Sequence, residues 1–526
     1  MPDAPAAADG FSADERRALA PYFTNQDRPV FALRNLPEVV KAALFARYSR
    51  SPKSLRRLFL DEFLDAAGGG VGESAVGVRR SEQLFSRVLA DYGDDSVAQL
   101  GGAHVAVEGA SNLLTKALEW GRLMAYLEQS TRYIPYTQRE RGQWRYAVPA
   151  ELDGTPLRAA AVAVLDRCFA TYVRWLPDAL ALCERRLPRP DGVSAVAHTA
   201  TVRAMALDAL RGLLPAATRS NVGLFGSGQA YEALLLRLRA HPLAEARACA
   251  EAMKGELDDV IPAFLTRVDR PERGGVWVDY LRALREDTAR IGSVLLADLN
   301  PAAAEAVTLT DCDPDGEIKV VAAALYASSS LPDAQLLAVA RSLSASQRAD
   351  VLRAAVGARH NRRHKPGRAF ERAVYRFDIV TDYGAFRDLQ RHRMCTLEWQ
   401  RLTPTLGYVV PEIVETLGAG ADWQSVMGEA ADVHRAIAAA GHPDAAAYVL
   451  PMAHRLRFYL ECNAREAMHL IELRSTPQGH PAYRAVAQAM HRAIAARHPA
   501  IAAAMRFVDH SAAETGRLES ERRSGR

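Results

Sequence analysis

Length is the feature that most constrains this chain, because 526 residues are too many for one ordinary hydrophobic core. A duplication is therefore the first arrangement to test, and one unit does occur twice. The strand-like segment HVAVE at 104–108 runs into a helical apolar pattern over 111–130. Similarly, YRFDIV at 375–380 runs into a helical pattern that Asp382 can cap. The sequence therefore predicts two diverged copies of one strand-to-helix fold.

A later element also repeats. GLLPAATRS at 212–220 and YVLPMAHRL at 448–456 are each expected to open a helix, and a DRPERGG loop lies between the two copies. The predicted organisation has four parts: an N-terminal extension over 1–29, a first repeat over 30–270, a second repeat over 305–513 and a polar tail over 514–526.

The composition is that of a folded protein without a strong net charge. Hydrophobic residues make up 49% of the chain and charged residues 24%, which is the balance of a globular protein. With 66 Lys and Arg against 62 Asp and Glu, nucleic-acid binding is not expected. Six scattered cysteines predict reduced thiols and no metal site, and no apolar run approaches the roughly 18 residues of a membrane helix. A cytoplasmic protein is expected.

The second half contains an RHR sequence at Arg391, His392 and Arg393. The helical phase places Arg393 on the same stripe as Phe386 and Leu389, which is expected to be buried. A buried guanidinium needs an anionic or carbonyl partner. A structural salt bridge and a bound ligand both satisfy that requirement.

Further polar groups stand near the end of the second half and in the middle of the first. Asn463 and Arg474 share one face of a predicted helix, while Arg465 lies off that face. In the first half, Ser130 and Arg132 of an SxRY sequence follow Glu128. Such groups can hold a phosphate and a base edge, or they can cap helices and complete a core network.

Taken in order, these pieces resemble the flavin-dependent thymidylate synthases. SVAQLGGAHVAVEGASNLLTKALEWGRLMAYLEQSTRY resembles, without a gap, the family pattern SVLEH, strand, GVSR.LTH.LVRHR and SxRY. In the second half, RFDIVTDYGAFRDLQRHR resembles the same unit, and VLPMAHRLRFYLECNAREAMHLIELRS resembles the family's LP, NxR and LR segment. The resemblance covers nearly all of 30–510. It implies an α+β fold of two tandem units, each with helices packed on an antiparallel sheet.

Each half departs from the family pattern at a different place. Where the family has RHR, the first half has Trp120, Gly121 and Arg122, and where the family has the serine of SxRY, the second half has Arg401. The resemblance implies a homotetramer whose nucleotide lies between subunits, so a homodimer of this chain is expected to imitate it. Whether each site forms within one chain or between two stays open.

The resemblance assigns substrate-binding groups to both halves. The second half supplies Arg391 from RHR and Arg474 from LR, and Ala447 stands where the counterpart of Arg211 would be. Arg391 and His392 are assigned to the catalytic site. The first-half groups are Glu128, Ser130, Arg132, Arg211 and Arg239.

The resemblance also implies the cofactor and the reaction. FAD is expected at His392, Arg393, Asn463 and Arg465, and the basic run at 358–368 is either a solvated loop or a cover for the cofactor's pyrophosphate. The implied reaction is reductive methylation of dUMP to dTMP, with methylenetetrahydrofolate as the one-carbon donor and NADPH as the reductant. The alternatives are a non-catalytic nucleotide- or flavin-binding paralogue and a flavin enzyme acting on another pyrimidine nucleotide.

Overall fold

The structure is a computed structural model that describes residues 10–48, 51–64 and 98–511. The predicted polar tail and the first nine residues of the predicted N-terminal extension lie outside the described residues. The described part combines helices with two antiparallel sheets, which confirms the predicted α+β class. Within these residues, no helix is long and apolar enough to cross a membrane.

The described residues form both strands and helices along the chain. The strands are β1 (Gly102–Ser111), β2 (Met124–Glu128), β3 (Arg219–Ser227), β4 (Val307–Cys312), β5 (Val374–Asp382), β6 (Thr396–Trp399) and β7 (Arg455–Asn463). The helices are α1 (Ala13–Leu19), α2 (Glu38–Tyr48), α3 (Leu55–Leu58), α4 (Asn112–Leu118), α5 (Leu157–Arg186), α6 (Ala195–Leu210), α7 (Gly228–Arg239), α8 (Ala244–Val260), α9 (Val276–Leu295), α10 (Gly316–Tyr326), α11 (Asp333–Ser342), α12 (Ala345–Val356), α13 (Tyr383–Gln390), α14 (Glu412–Thr416), α15 (Gly420–Ala439), α16 (Ala464–Arg474), α17 (Pro481–Arg497) and α18 (Pro499–Ala503).

The chain divides into two compact units. Unit 1 comprises Met1–Val107, Leu123–Glu128 and Asn221–Asp298. Unit 2 comprises Glu108–Arg122, Gln129–Ser220 and Leu299–Arg526. Unit 2 therefore contains segments of both predicted repeats.

Each half of the chain builds one sheet. The first sheet has the order β1-β3-β2, and the second has the order β4-β5-β7-β6. In the second sheet, β5 pairs antiparallel with β7 along its whole length, from Val374 opposite Asn463 to Asp382 opposite Arg455. Alternate residues of β5 and β7 are buried, as expected for strands whose two faces have different environments.

The strand-to-helix unit predicted in both halves is present. The side chain of Ser111 accepts a hydrogen bond from the Leu114 amide and caps α4, and the side chain of Asp382 accepts one from the Ala385 amide and caps α13. The single helix expected over 111–130 is wrong, because α4 ends at Leu118 and β2 follows. Gly121 disfavours helix continuation, and β2 gains a ladder with β3 that the local pattern does not reveal.

The helices expected after the two LP sequences are also wrong, because these sequences lead into β3 and β7. Pro215 and Pro451 face each other in an antiparallel bridge. The Ala216 amide donates to the Leu450 carbonyl at 2.8 Å, and the Met452 amide donates to the Leu214 carbonyl at 2.9 Å. The two LP segments therefore pair with each other, and the two halves of the chain meet inside unit 2.

A second set of contacts joins the two strand-to-helix units within unit 2. The Tyr383 hydroxyl donates to the Asn112 carbonyl at 2.9 Å, and the Gln390 side chain donates to the Lys116 carbonyl at 2.9 Å. These contacts tie the start and the end of α13 to α4. They bring the ends of α4 and α13 close together. The candidate site lies where these two helices meet.

Candidate functional site

The RHR sequence lies just beyond α13 and not in its last turn. Phe386 and Leu389 are buried as predicted, but α13 ends at Gln390, so the helical phase cannot be extended to Arg393. A tight turn follows, in which the Cys395 amide donates to the His392 carbonyl at 3.0 Å. The turn buries His392 and leaves Arg391 and Arg393 half-buried.

Arg132 of the SxRY sequence is held from both sides. Its Nε and Nη2 atoms each donate to the carboxylate of Asp208 at 2.7 Å, and its Nη1 atom donates to the Tyr483 hydroxyl at 2.6 Å. A bidentate pair of this kind fixes both the position and the plane of the guanidinium. Ser130 supports the turn, because its hydroxyl accepts from the Arg132 amide at 3.2 Å.

Arg211 is buried against the first turn of α13. Its Nη1 atom lies 3.4 Å from the carboxylate of Asp388. A Cβ atom at Gly384 would lie only 3.1 Å from Nε of Arg211 and 3.0 Å from the Asp382 carboxylate. The absence of a side chain at Gly384 therefore lets the arginine pack against the helix.

Asp388 stands among four arginines. Burial alone would raise the pKa of its carboxyl, but the charges of Arg211, Arg474 and Arg391, with a smaller effect of Arg132, hold that pKa well below its usual range. The four guanidinium groups and the carboxylates of Asp208 and Asp388 form what we call the arginine cluster. Four positive charges against two negative charges leave a local charge of +2.

Arg474 connects the arginine cluster to His392. The Nε atom of Arg474 donates to Nε2 of His392 at 3.0 Å, so the ring proton belongs on Nδ1, which lies 3.3 Å from the Glu466 carboxylate. Burial, and then the charge of Arg474, hold the pKa of His392 well below its usual range. His392 is therefore a neutral imidazole whose orientation is fixed at both nitrogens.

Two further side chains complete the surroundings of Arg132. Desolvation lowers the pKa of His480 to about 4, with a further contribution from Arg211, so this imidazole is neutral near pH 7. The Tyr483 ring stacks within 5.5 Å of the Arg132 guanidinium and within 5.4 Å of that of Arg474. The wall beside Arg132 therefore consists of a neutral imidazole and an aromatic ring.

The residues predicted to bind the flavin stand around the start of α16. The Asn463 side chain caps the helix by accepting from the Glu466 amide at 2.9 Å. Arg465 donates to the Pro366 carbonyl at 2.9 Å, and it therefore ties the basic segment 358–368 to this helix. The charge of Lys365 in that segment contributes to the lowered pKa of His392. This region is therefore electropositive.

His392, Glu466 and His469 form a group that could hold a metal ion, although the sequence predicted none. One ligand atom from each residue lies within 4.8 Å of the other two, and Glu466 and His469 share a face of α16. The surroundings oppose a divalent cation, because Lys365 and Arg362 act electrostatically on His469. Both ring nitrogens of His392 also have hydrogen-bond partners. The donor set with its cations is better suited to an anionic cofactor.

Two predicted site residues belong to unit 1. Glu128 is buried at the end of β2, where it pairs with Val222 of β3. Arg239 ends α7, and its guanidinium contacts the carboxylates of Glu251 and Asp269 at 2.8 Å each. In contrast, the structure brings together Arg132, Arg211, Arg391, His392 and Arg474 within unit 2.

Sequence reasoning missed the acidic members of the cluster. Asp208 and Arg211 form a D-x-x-R sequence at the end of α6, and Asp388 and Arg391 form another at the end of α13. Groups three residues apart lie near one another on a helix. The repeated spacing is therefore a usable signal for the carboxylates that orient the arginines.

A cavity of about 550 Å³ borders the arginine cluster on the side of Asp208, Arg211 and His480. Its remaining wall is mainly apolar and includes Trp423 and Ile413. A volume of this size accommodates a small organic ligand. The candidate site therefore combines a cationic end with a mainly apolar cleft.

Known proteins are similar to this chain over most of its length. The family model described as thymidylate synthase complementing protein matches residues 39–263 and 308–500, which together span more than half of the chain. A UPF0159 protein of Chlamydia muridarum is 39% identical over 520 residues, with 98% of each chain covered. A UPF0159 protein of Thermoplasma acidophilum is 30% identical over 515 residues, covering 91% of this chain and 97% of that protein.

One solved structure shows a weaker similarity. It is a UMP/dUMP methylase, PolB, from Streptomyces cacaoi bound with 5-Br dUMP. The sequence identity is 20% and the TM-score is 0.30, over 40% of this chain and 95% of that chain.

Proposed function

The chain belongs to the thymidylate synthase complementing protein family, and we propose that it catalyses the FAD-dependent methylation of dUMP to dTMP. Methylenetetrahydrofolate would supply the one-carbon unit and NADPH the reducing equivalents. The observation that carries this proposal is the arginine cluster. Its groups come from both halves of the chain and balance to a charge of +2, which matches the dianionic phosphate of a nucleoside monophosphate.

The substrate roles follow from the geometry of the cluster. Arg132 and Arg211 are oriented by carboxylates, so their remaining N–H groups are presented in fixed directions, and we assign them to the phosphate. Arg391 and Arg474 lie nearer His392, and we assign them to the uracil ring. There they would bind and polarise the uracil carbonyl groups. No protein nucleophile is needed in this scheme.

We assign the flavin to the electropositive region at the start of α16. His392, Arg393, Asn463 and Arg465 would hold it, with the basic segment 358–368 over its pyrophosphate. The donor set fits this group, because it offers neutral and cationic donors and is surrounded by positive charge. When bound, FAD supplies the redox chemistry. His392 stays neutral and keeps its orientation through Arg474 and Glu466, so it contributes a fixed, uncharged aromatic ring.

A second candidate function is a non-catalytic protein that binds the same nucleotide. The observation that favours it is the loss of RHR from the first half, where Trp120 and Gly121 stand instead. Loss of one of two duplicated RHR sequences is expected when selection for catalysis is relaxed. We also infer that the chain acts in the cytoplasm as a homodimer, which would contain four family-like units.

A direct assay tests the proposal. Purified chain is incubated with FAD, dUMP, methylenetetrahydrofolate and NADPH, and dTMP is quantified by chromatography and mass spectrometry. We expect dTMP in the wild type and in Arg435→Ala, which removes an exposed arginine paired with Asp432. We expect none in Arg391→Ala. Nucleotide binding without turnover in the wild type would favour the non-catalytic protein, and the absence of both would contradict the proposed function.

A further inference from the structure

Helix α9 buries none of its residues, although it carries many large apolar side chains. Trp277, Leu284 and Ile291 are each more than half exposed, and so are Val276, Tyr280, Val294 and Leu295. A continuous exposed apolar surface of this kind marks a site of interaction with another molecule. α9 lies between the two regions that match the family model, 39–263 and 308–500, so neither repeat includes it.

The exposed side chains form one seam along the helix. At 100° per residue, Trp277, Tyr280, Leu284, Ile291 and Leu295 fall within about 60° of one another. Trp277, Leu284 and Ile291 repeat every seven residues, which is the spacing with which one helix packs against another. The seam therefore fits a helix better than a flat surface.

A different side of α9 faces its own unit. Val278, Leu281 and Gly292 are half-buried, and Arg285 donates to the Ala240 carbonyl at 2.6 Å. These residues cluster around an angle of about 90° from the centre of the seam. The contact of α9 with the rest of unit 1 therefore leaves the seam uncovered.

The charges on α9 suit pairing with an identical helix. The helix carries three arginines and three acidic residues, so its charges balance. Asp287 and Arg290 lie along the same edge of the seam and form an ion pair within the helix at 2.8 Å. When two copies run antiparallel about the midpoint between Thr288 and Ala289, the same edges meet, and Asp287 lies opposite the partner subunit's Arg290 on both sides of the two-fold axis.

We propose that α9 is a dimerisation helix and that its partner is α9 of a second copy of this chain, packed antiparallel. The seam and the mirrored charges both belong to the same helix, so a second copy supplies the matching surface without any further component. This inference is independent of the reaction proposed above, because α9 contains none of the residues assigned to substrate or cofactor.

The mass of the full chain in solution tests the proposal, measured by light scattering after gel filtration and by sedimentation. We expect a dimer at micromolar concentration for the wild type. Leu284→Glu and Ile291→Glu place charges in the seam, and each should weaken dimerisation about a hundredfold or more. Ala289→Glu introduces the same charge on the opposite face of α9 and should leave the dimer intact. Circular dichroism checks that each variant is folded.

Charge reversal and cross-linking test the antiparallel register. Asp287→Arg and Arg290→Asp should each weaken dimerisation about tenfold, and the double variant should recover most of that loss. Thr288→Cys should form a disulfide-linked dimer under oxidation, whereas Ala289→Cys should not. A dimer that persists in Leu284→Glu would overturn the proposal. A monomeric wild type would also overturn it. If that monomer also lost thermal stability in Leu284→Glu or Ile291→Glu, another segment of the same chain would be covering the seam.

Discussion

The strand-to-helix units of the two halves share their architecture and differ in what stands at the end of the helix. In both, a polar side chain at the end of the strand caps the helix, Ser111 in one and Asp382 in the other. After α13 comes the turn that buries His392, whereas after α4 the matching positions hold Trp120 and Gly121. The cap and the strand ladder are requirements of folding, but the residues after the helix serve the site. One half could therefore lose its RHR sequence without losing its fold.

The largest expected effect tests whether the unlike halves form one site. Arg132→Ala in the first half and Arg391→Ala in the second should each weaken dUMP binding about tenfold to a hundredfold, because each removes a charge-assisted contact. Calorimetric titration measures the affinity. Because Arg132 and Arg391 lie near the same Asp388 of one chain, co-expressing the two variants should not restore binding.

The outcomes of that experiment separate three arrangements. Recovery of binding in the mixture would show that each site joins two chains, against the geometry described here. Unchanged binding in both single variants would contradict a composite site. Arg132→Lys keeps the charge but loses the bidentate contact with Asp208, so an intermediate affinity would show that the geometry of Arg132 matters as well as its charge.

The next effect tests whether only the second half holds flavin. His392→Ala combined with Arg393→Ala should release FAD from the purified protein or lower its affinity by about tenfold or more. Trp120→Ala alters the matching position of the first half, where the side chain is 42% exposed, and should leave FAD content unchanged. Flavin absorbance after gel filtration is the measurement. Equal retention in both variants would contradict the assignment.

A smaller effect is expected from replacing Gly384 in the first turn of α13. The first turn of α4 contains no glycine. Gly384→Ala places a methyl group about 3.1 Å from Nε of Arg211, so the guanidinium must shift away from Asp388, and dUMP affinity should fall about tenfold. Gly428→Ala is the matched control, because nothing lies within 4 Å of its added methyl group in α15. The control should bind dUMP normally and gain about 0.5–1 kcal/mol of stability. Normal binding in Gly384→Ala would show that Arg211 tolerates displacement.

The smallest effect compares two histidines that accept a backbone hydrogen bond near the start of a helix, His480 at the N-cap of α17 and His241 just before α8. Nδ1 of His480 accepts from the Ala482 amide, and Nδ1 of His241 accepts from the Leu243 amide in the same way. Desolvation lowers the folded-state pKa of His480 to about 4, so the unfolded chain binds a proton first as the pH falls. Its contribution to stability is complete above the ordinary pKa of about 6.5 and is lost progressively down to about pH 4.

Replacing each histidine by asparagine tests that difference while retaining a side-chain hydrogen-bond acceptor. Thermal unfolding between pH 7 and pH 4 should show a smaller loss of stability in His480→Asn than in the wild type. The same loss in both proteins would contradict the role of His480. His241→Asn controls for the change in the backbone hydrogen bond that both histidines accept.

The sequence predicted those parts of the fold that depend on local signals. Alternation of apolar residues marked β1 and β5, and the caps at Ser111 and Asp382 marked the helices that follow. It missed β2, and it predicted helices after the two LP sequences, because these strands exist only through ladders with distant segments. Local propensity cannot reveal a partner that lies about a hundred residues away.

The site was predictable to a similar extent. Motif order identified the arginines and the RHR histidine, but not the groups that orient them. Asp208 pairs with Arg132, 76 residues away, and Asp388 pairs with Arg211, 177 residues away, so their role depends on contacts between distant segments. Arg239 and Glu128 were placed in the same site by analogy, and their contribution stays a prediction.

The bridge between Pro215 and Pro451 has a consequence for how the protein responds to dilution. Two segments on one polypeptide meet at an effective concentration set by the chain that links them, which does not change with the amount of protein present. The junction that carries the arginine cluster should therefore persist at concentrations where an assembly of separate subunits would dissociate. A substitution changes only one side of such a junction, whereas in a symmetric pair of identical chains it changes both sides. The two sides of this junction could therefore diverge in sequence independently.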